Sequence, residues 1–275
     1  MREAKTAYWQ VESTCKSFVS STDSSKTPTA AYSNAVINDF FLNHCPENSR
    51  VLDVGCGHGV VSIHLAQRGH SVTACDISQP MLEELERNRG DLNIRIERAD
   101  AYNLPFDDDE FDVVVSRMFL FQFPDWAEIL QEMARCCRRG GHLLMHFTSK
   151  ENLDLAERSC KQECDFGAFG ATHRSQVPRT RPVIFNGAFD QKAINRACNK
   201  IGLRLLERAP CSFFHYNRLI GHSLGSDKFE DYRDQLDDYL RDPKVIDFIV
   251  WFEKTVLQQM PAWISFYNIL VLEKI

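Results

Sequence analysis

Apolar positions change period along the chain, and the changes mark out its elements. From Arg50, VLDVG is a short β-branched run that stops in glycines, and VVSIHLAQRG follows with apolar residues at helical spacing before a closing glycine. HSVTACDIS predicts a second strand, and PMLEELERN opens a second helix with Pro80 near its first turn, where a missing N–H costs nothing. NIRIERADA and FDVVVSRM predict two more strands, the latter continuously apolar from Val113 to Val115 as in a strand covered on both faces. DWAEILQEMARCCRRGG predicts an amphipathic helix closing on Arg138 and Arg139, which suit the negative end of its dipole, with Gly140 as its cap. HLLMHFTS then predicts a strand. Strands alternating with helices imply right-handed βαβ units and an α/β fold, with ligands beyond the carboxyl ends of the strands.

The flanks carry a weaker pattern. Residues 20–30 are Ser/Thr-rich and separate two helix-like segments, so residues 1–49 are predicted to form a helical arm outside the core. Beyond Lys150 the pattern predicts a helix through ENLDLAERSCKQEC, a Pro/Arg-containing loop over 167–186, a helix through DQKAINRACNKIG and an extended LRLLERAPCSFFHY. Two further helices, DYRDQLDDYL and VIDFIVWFEKTVLQQM, precede a final strand in WISFYNILVLEKI. The expectation is one domain over 1–275: arm 1–49, ligand-binding core 50–149, and a substrate-side half 150–275 whose helical insertion, about 222–260, covers a substrate as a lid.

Composition narrows the classes. With 275 residues and 44% hydrophobic content, the chain can bury one substantial core. Its formal net charge of -6 gives no global positive field to hold a polyanion, which counts against nucleic acid as a partner. The ten cysteines are scattered through predicted strands and helices, as reduced, buried thiols are, and point to the cytoplasm. No apolar run reaches signal-peptide or bilayer length, so no membrane partner is expected. Cys160, Cys164 and the following His173 have a zinc-like spacing, but no second ligand pair matches it; two thiols on one helix face is the reading taken, and no metal is expected.

The informative segment is Asp53-Val54-Gly55-Cys56-Gly57-His58-Gly59, between a strand and a helix, with Asp76 ending the next strand. A dinucleotide site wants G-x-G-x-x-G with a diphosphate on the helix N-terminus. Here the glycines run G-x-G-x-G, and a carboxylate two residues ahead of them opposes a phosphate. A ligand with a sulfonium, an ammonium and a ribose suits this acidic cradle better, because glycine backbone approaches closely while carboxylates meet positive charge.

From Arg50 to about Ser149 the chain resembles the class I (Rossmann-like) S-adenosylmethionine-dependent methyltransferases of the small-molecule and ubiquinone-biosynthesis-like group. VLDVGCGHG resembles the first motif, CDIS the second, RADAYNLPFDDDEFDVVVS the third and fourth, and FPDWAEILQEMARCCRRGGHLLM the helix and strand that follow. The resemblance implies a seven-stranded, mostly parallel sheet with helices on both faces. It implies S-adenosylmethionine as cofactor and S-adenosylhomocysteine as product. Asp53, Gly55, Cys56, Gly57 and Gly59 would form the cradle, Asp76 would accept both ribose hydroxyls, and Asp100 would accept from the adenine amino group beside Ala101. Ile77 and Met81 would flank the adenine, and Ser116, Arg117 and Met118 occupy the position just past the fourth strand, the first two assigned to the cofactor. FLFQF, which follows, is more apolar than the histidine-bearing version of many relatives. Tyr8-Trp9 resembles an N-terminal aromatic pair that closes over cofactor and substrate; packing on a helix is the alternative.

Methyl transfer asks the protein to align a nucleophile, exclude water and, for some acceptors, remove a proton. Candidate bases are His146 at the end of the fifth strand, then His173 and His215, while His58 and His64 are read as packing or solvent residues. Arg174, Arg179 and Arg181 gather in a loop that suits an anionic acceptor if it folds over the crevice, and Tyr216 with SFFHY suits an aromatic one. The expected partner is a small-molecule acceptor, with a homodimer open. Rival readings are an NAD(P)-dependent oxidoreductase, a nucleic-acid methyltransferase, a protein methyltransferase and a catalytically silent cofactor-binding subunit. SRMF stands where amine-modifying nucleic-acid enzymes carry an Asn/Asp-Pro-Pro-aromatic tetrapeptide.

Overall fold

The structure, a computed structural model, describes residues 7–152, 154–155, 189–214 and 229–275. The expected alternation is present: β1 (Arg50–Val54), α3 (Val60–Gln67), β2 (Ser71–Asp76), α4 (Gln79–Asn88), β3 (Ile94–Arg98), β4 (Phe111–Ser116), α5 (Trp126–Cys136) and β5 (Cys137–Thr148). Ahead of it stand α1 (Glu12–Thr22) and α2 (Pro28–Asn43); after it come α6 (Gln191–Ile201), β6 (Leu203–Cys211), α7 (Phe229–Tyr239), α8 (Pro243–Thr255) and β7 (Tyr267–Lys274). Local chemistry sets several starts. Ser78 caps α4 by accepting from Met81 N, Asp190 caps α6 through Ala193 N at 2.6 Å, and Asp242 caps α8 through Lys244 N at 2.9 Å.

The seven strands form one sheet in the order β3-β2-β1-β4-β5-β7-β6. β1 through β5 pair in parallel, and β7 runs antiparallel between β5 and β6. This is the mostly parallel Rossmann-like sheet expected. One apolar cluster covers the face under α2, α3 and α8, and a second covers the face under α5 and α6.

Three expectations are corrected. The residues before β1 are not all an arm: α2 buries Tyr32, Val36, Ile37 and Phe41 at 1% exposure or less, within the first cluster. Each such side chain contributes about 1.5–3 kcal/mol on leaving water, which ties α2 to the sheet. The helix expected to end in Arg138, Arg139 and Gly140 stops at Cys136, and those three residues lie in β5. There the register jumps from Cys137 to His142, and Arg138 reaches Asp112 at 2.8 Å instead of capping the helix. The C-terminal insertion packs α7 and α8 on α2, so the part of the chain expected to lie over the crevice does not line it among the described residues.

Candidate active site

The crevice opens where β1, β2, β3 and β4 end, at the point from which the strand order runs both ways. Open to solvent, it holds about 1150 Å³. Its floor is the turn after β1. Gly55 N and Cys56 N both donate to Cys75 O, at 2.9 and 3.0 Å, which folds the turn back onto the end of β2. Gly55 and Gly57 have φ of +71° and +54°, a region costly for residues with a Cβ. A methyl on Gly55 would lie 2.3 Å from the Phe119 ring, whereas one on Gly57 would meet nothing within 4 Å. Gly59 stands outside the lining; it starts α3 and lies against Leu85.

Asp76 locks this turn. Its Oδ2 accepts from Gly57 N and its Oδ1 from Ser78 N, both at 2.9 Å. Burial pushes its pKa up, and the backbone donors work against that rise. Asp53 is 1% exposed at the crevice floor and accepts from Ser62 Oγ at 2.6 Å. Burial pushes its pKa up to about 7, against the pull of Ser62 and Arg117. After β3, Asp100 Oδ1 accepts from Tyr102 N at 3.1 Å, with Ala101 buried beside it. Asp53, Cys56, Asp76, Ile77, Met81, Asp100 and Ala101 all line the crevice, so the structure brings these sequence-predicted residues together.

The cover comes from the N-terminal segment, where the resemblance pointed to Tyr8 and Trp9. Trp9 Nε1 donates to Gln122 Oε1 at 3.3 Å, Gln10 Nε2 to Ile77 O at 2.8 Å, and Ser78 Oγ to Trp9 O. Phe18 of α1 meets the Trp9 ring edge-on with centroids 5.4 Å apart, and Thr22 Oγ1 lies 2.7 Å from His58 Nε2. Trp9, Phe18, Thr22 and His58 all line the crevice, so His58 belongs to its wall as well as to the packing. The Tyr8 ring meets Trp9 edge-on with centroids 5.1 Å apart and does not line the crevice.

Past β4 the backbone turns at Met118, whose φ of +56° is uncommon for a residue with a side chain. Arg117, Met118, Phe119, Gln122 and Phe123 form that wall, so the FLFQF run noted for its departure from relatives supplies aromatic lining. Arg117 Nη1 donates to Asn38 Oδ1 at 3.1 Å, and burial pulls its pKa down to about 10. Ser116 is 1% exposed, donates to Val54 O at 3.0 Å and ties two strand ends together behind the lining.

His146 is not brought to the crevice. It is 1% exposed, lies opposite Ile269 of β7, and its ring sits 4.8 Å from that of Tyr267. Because β7 runs alongside β5 through Thr148, position 146 is flanked by a strand and not by the crevice mouth. His173, His215, Arg174, Arg179, Arg181 and Tyr216, and with them Cys160 and Cys164, lie outside the described residues. The eight described cysteines are free and buried, and among the described residues no three His, Cys, Asp or Glu side chains group to hold a metal ion. Phe18, Thr22, Asn34 and Gln122 line the crevice without any sequence signal, since contacts across such separations leave no local periodicity.

A family model described as a methyltransferase domain matches residues 52–145, the stretch that builds this floor. The chain is 38% identical over 113 residues to the demethylmenaquinone methyltransferase of Staphylococcus epidermidis, a match covering 40% of this chain and 47% of that protein. The chain thus spans about half the length of that relative. Similarity to the demethylmenaquinone methyltransferase of Staphylococcus saprophyticus runs further, at 31% identity over 163 residues, 56% of this chain and 70% of that one. Among solved structures, the magnesium protoporphyrin IX methyltransferase of Synechocystis PCC 6803, with bound S-adenosylhomocysteine, superposes with a TM-score of 0.54. That match covers 90% of this chain and 86% of the other at 15% identity, which speaks to the fold alone.

Proposed function

Since this chain belongs to the class I S-adenosylmethionine-dependent methyltransferases, we propose that it transfers a methyl group from S-adenosylmethionine to an O, N or C nucleophile of a small-molecule acceptor. The observation that carries this reading is Asp76, whose carboxyl oxygens each take one backbone N–H and keep capacity for a ribose hydroxyl. Three carboxyls, Asp53, Asp76 and Asp100, line the cofactor side of the crevice. A diphosphate would meet net repulsion there, and a cationic amino-acid-bearing nucleoside would not.

Bound S-adenosylmethionine supplies an electrophilic methyl on a sulfonium. The chain's own part is to hold and orient: Gly55, Cys56 and Gly57 by backbone, Asp76 and Asp100 by carboxylate, Ile77 and Met81 by apolar contact. Trp9, Phe18 and Phe119 exclude water. His58 is the described imidazole of the crevice, and burial lowers its pKa so that it stays neutral at pH 7. An acceptor that arrives ionised needs no base, which agrees with a crevice short of free imidazole among the described residues. The aromatic wall favours an acceptor with an apolar or aromatic part, and the relatives named for demethylmenaquinone act in keeping with that.

This reading takes the chain as a single domain working in the cytoplasm, with a homodimer to be checked by light scattering. Among the described residues no helix is long and apolar enough to cross a membrane. The test is calorimetry with S-adenosylmethionine, S-adenosylhomocysteine and NAD(P)H on the wild type and Asp76→Ala. Micromolar binding of the first two alone is expected, weakened by about 1–3 kcal/mol in the variant through loss of charge-assisted hydrogen bonds. Nicotinamide binding without the others would overturn the reading; cofactor binding with no methyl transfer to small acceptors would pass it to a protein acceptor or a silent partner subunit.

A further inference from the structure

Among the described residues the crevice is lined by one cation, Arg117, against its three carboxyls. Arg117 follows β4, the strand next to β1 on the side away from β2 and β3. The residues assigned to the cofactor follow β1, β2 and β3 in turn: the glycine turn, Asp76 and Asp100. The guanidinium donates to Asn38 Oδ1 of α2, and Cys211, Asp53 and Tyr267 are its electrostatic neighbours. Among the described residues no carboxylate lies within ion-pair distance of it, and its hydrogen-bond partner is a neutral amide.

That is an expensive arrangement to leave uncompleted. A guanidinium has five donors in a planar fork, and Asn38 takes one. Partly withdrawn from water, it gains most from a bidentate anion, which replaces lost hydration with two parallel charge-assisted bonds. Asp53 feels the cation but accepts its hydrogen bond from Ser62 and makes no ion pair with Arg117. The cation lines the crevice together with the apolar Met118 and Phe119, and among the described residues it has no anionic hydrogen-bond partner.

We propose that Arg117 binds a carboxylate of the methyl acceptor, so that the substrate is an organic acid whose apolar part lies against the Met118–Phe119 wall and whose charge fixes its orientation in the crevice. This rests on the methyltransferase reading and adds a substrate class to it. Arg117 then acts as a specificity residue. Its fork sets the acceptor's anion on the far side of the crevice from Asp76 and Asp100, which leaves the nucleophile between the two. The cofactor's own α-carboxylate is the other source of the same chemistry, and the experiment separates the two.

Full-length protein is saturated with S-adenosylhomocysteine in low-chloride buffer and titrated with acetate, benzoate, 2-naphthoate and decanoate, and with the matching neutral amides. Intrinsic tryptophan fluorescence and calorimetry report binding. The same is done for Arg117→Gln and Arg117→Lys, and each protein is titrated with S-adenosylhomocysteine and with 5′-methylthioadenosine, which lacks the amino-acid part. The expected result is that at least one carboxylate binds about tenfold or more tightly than its amide, that Arg117→Gln removes this preference, and that Arg117→Lys restores part of it. S-adenosylhomocysteine affinity stays within about twofold throughout, as a residue that holds the acceptor and not the cofactor requires. If Arg117→Gln weakens S-adenosylhomocysteine but not 5′-methylthioadenosine, Arg117 holds the cofactor's carboxylate and the proposal fails. It also fails if no carboxylate is preferred over its amide by the wild type. Wild-type protein that binds neither nucleoside would overturn the methyltransferase reading itself, a separate result.

Discussion

Ser62 Oγ donates to Asp53 Oδ2 at 2.6 Å beneath the crevice, so the first carboxyl of the glycine motif is anchored to α3 while burial holds its pKa near 7. A cation arriving beside it stabilises the ionised form and lowers that pKa. Cofactor binding at neutral pH should therefore release a fraction of a proton, and affinity for S-adenosylmethionine should rise from pH 6 to pH 8 by less than about tenfold per unit. Calorimetry in two buffers of different ionisation enthalpy measures the proton directly. Asp53→Asn should abolish both effects; pH-independent binding by the wild type would show that the bound cation lies elsewhere.

Gly57 and Gly55 separate the site from the scaffold. Gly57→Ala adds a methyl where nothing stands within 4 Å, at a left-handed φ that costs about 1–2 kcal/mol. The variant should fold with a modestly lower Tm and lose cofactor binding. Gly55→Ala drives the new carbon into the Phe119 ring, and Phe119→Ala in the same chain should recover part of the lost Tm. Thermal melts with and without S-adenosylhomocysteine read both; unchanged ligand stabilisation in Gly57→Ala would remove that turn from the cofactor site.

Glu253 of α8 gives stability a pH dependence of its own. Its Oε1 accepts from Tyr32 Oη and from Phe213 N, its Oε2 is buried with no hydrogen-bond partner among the described residues, and burial pushes its pKa up to about 8. An acid whose folded pKa exceeds its unfolded value near 4.3 keeps its proton longer in the native state, so stability declines as pH rises from about 4.3 to 8, by at most about 1.4 kcal/mol per unit. Glu253→Gln preserves the Oε1 acceptor and removes the titration. Its Tm should exceed that of the wild type at pH 8.5 by more than it does at pH 5, and equal shifts at both would mean Glu253 ionises in the fold at an ordinary pH.

Phe41, with no exposed surface, tests whether α2 belongs to the core. Phe41→Ala should cost about 3–5 kcal/mol in urea unfolding, the range for deleting a buried aromatic ring. A loss below about 1 kcal/mol would return α2 to the status of an arm.

What the sequence made legible was local. The β-branched run at Val51, the glycine spacing, Asp76 at a strand end and the Pro80 helix start are each set within a few residues, and all stand where expected. α2 was misjudged because Ser33, Asn34 and Asn38 interrupt its apolar face, yet Ser33 and Asn38 are buried and satisfied by Ser212 and by Arg117 and Val60. Those partners are remote in sequence. The bond from Trp9 to Gln122 that fixes the cover spans 113 positions, and only the resemblance, not periodicity, pointed to Tyr8 and Trp9. His146 failed as a crevice residue because its surroundings depend on β7, whose antiparallel place in the sheet follows from no short-range pattern.

The position of β7 also governs how the chain can assemble. β6 precedes it in synthesis, but β6 reaches the sheet only by pairing with β7, which stands between it and β5. During translation the open edge of β5 and an unpaired β6 must wait for the residues after Tyr267, exposing strand backbone that invites intermolecular pairing. The nascent protein therefore carries open strand edges until β7 is made, and lesions in β7 would be felt as aggregation before they were felt as lost chemistry.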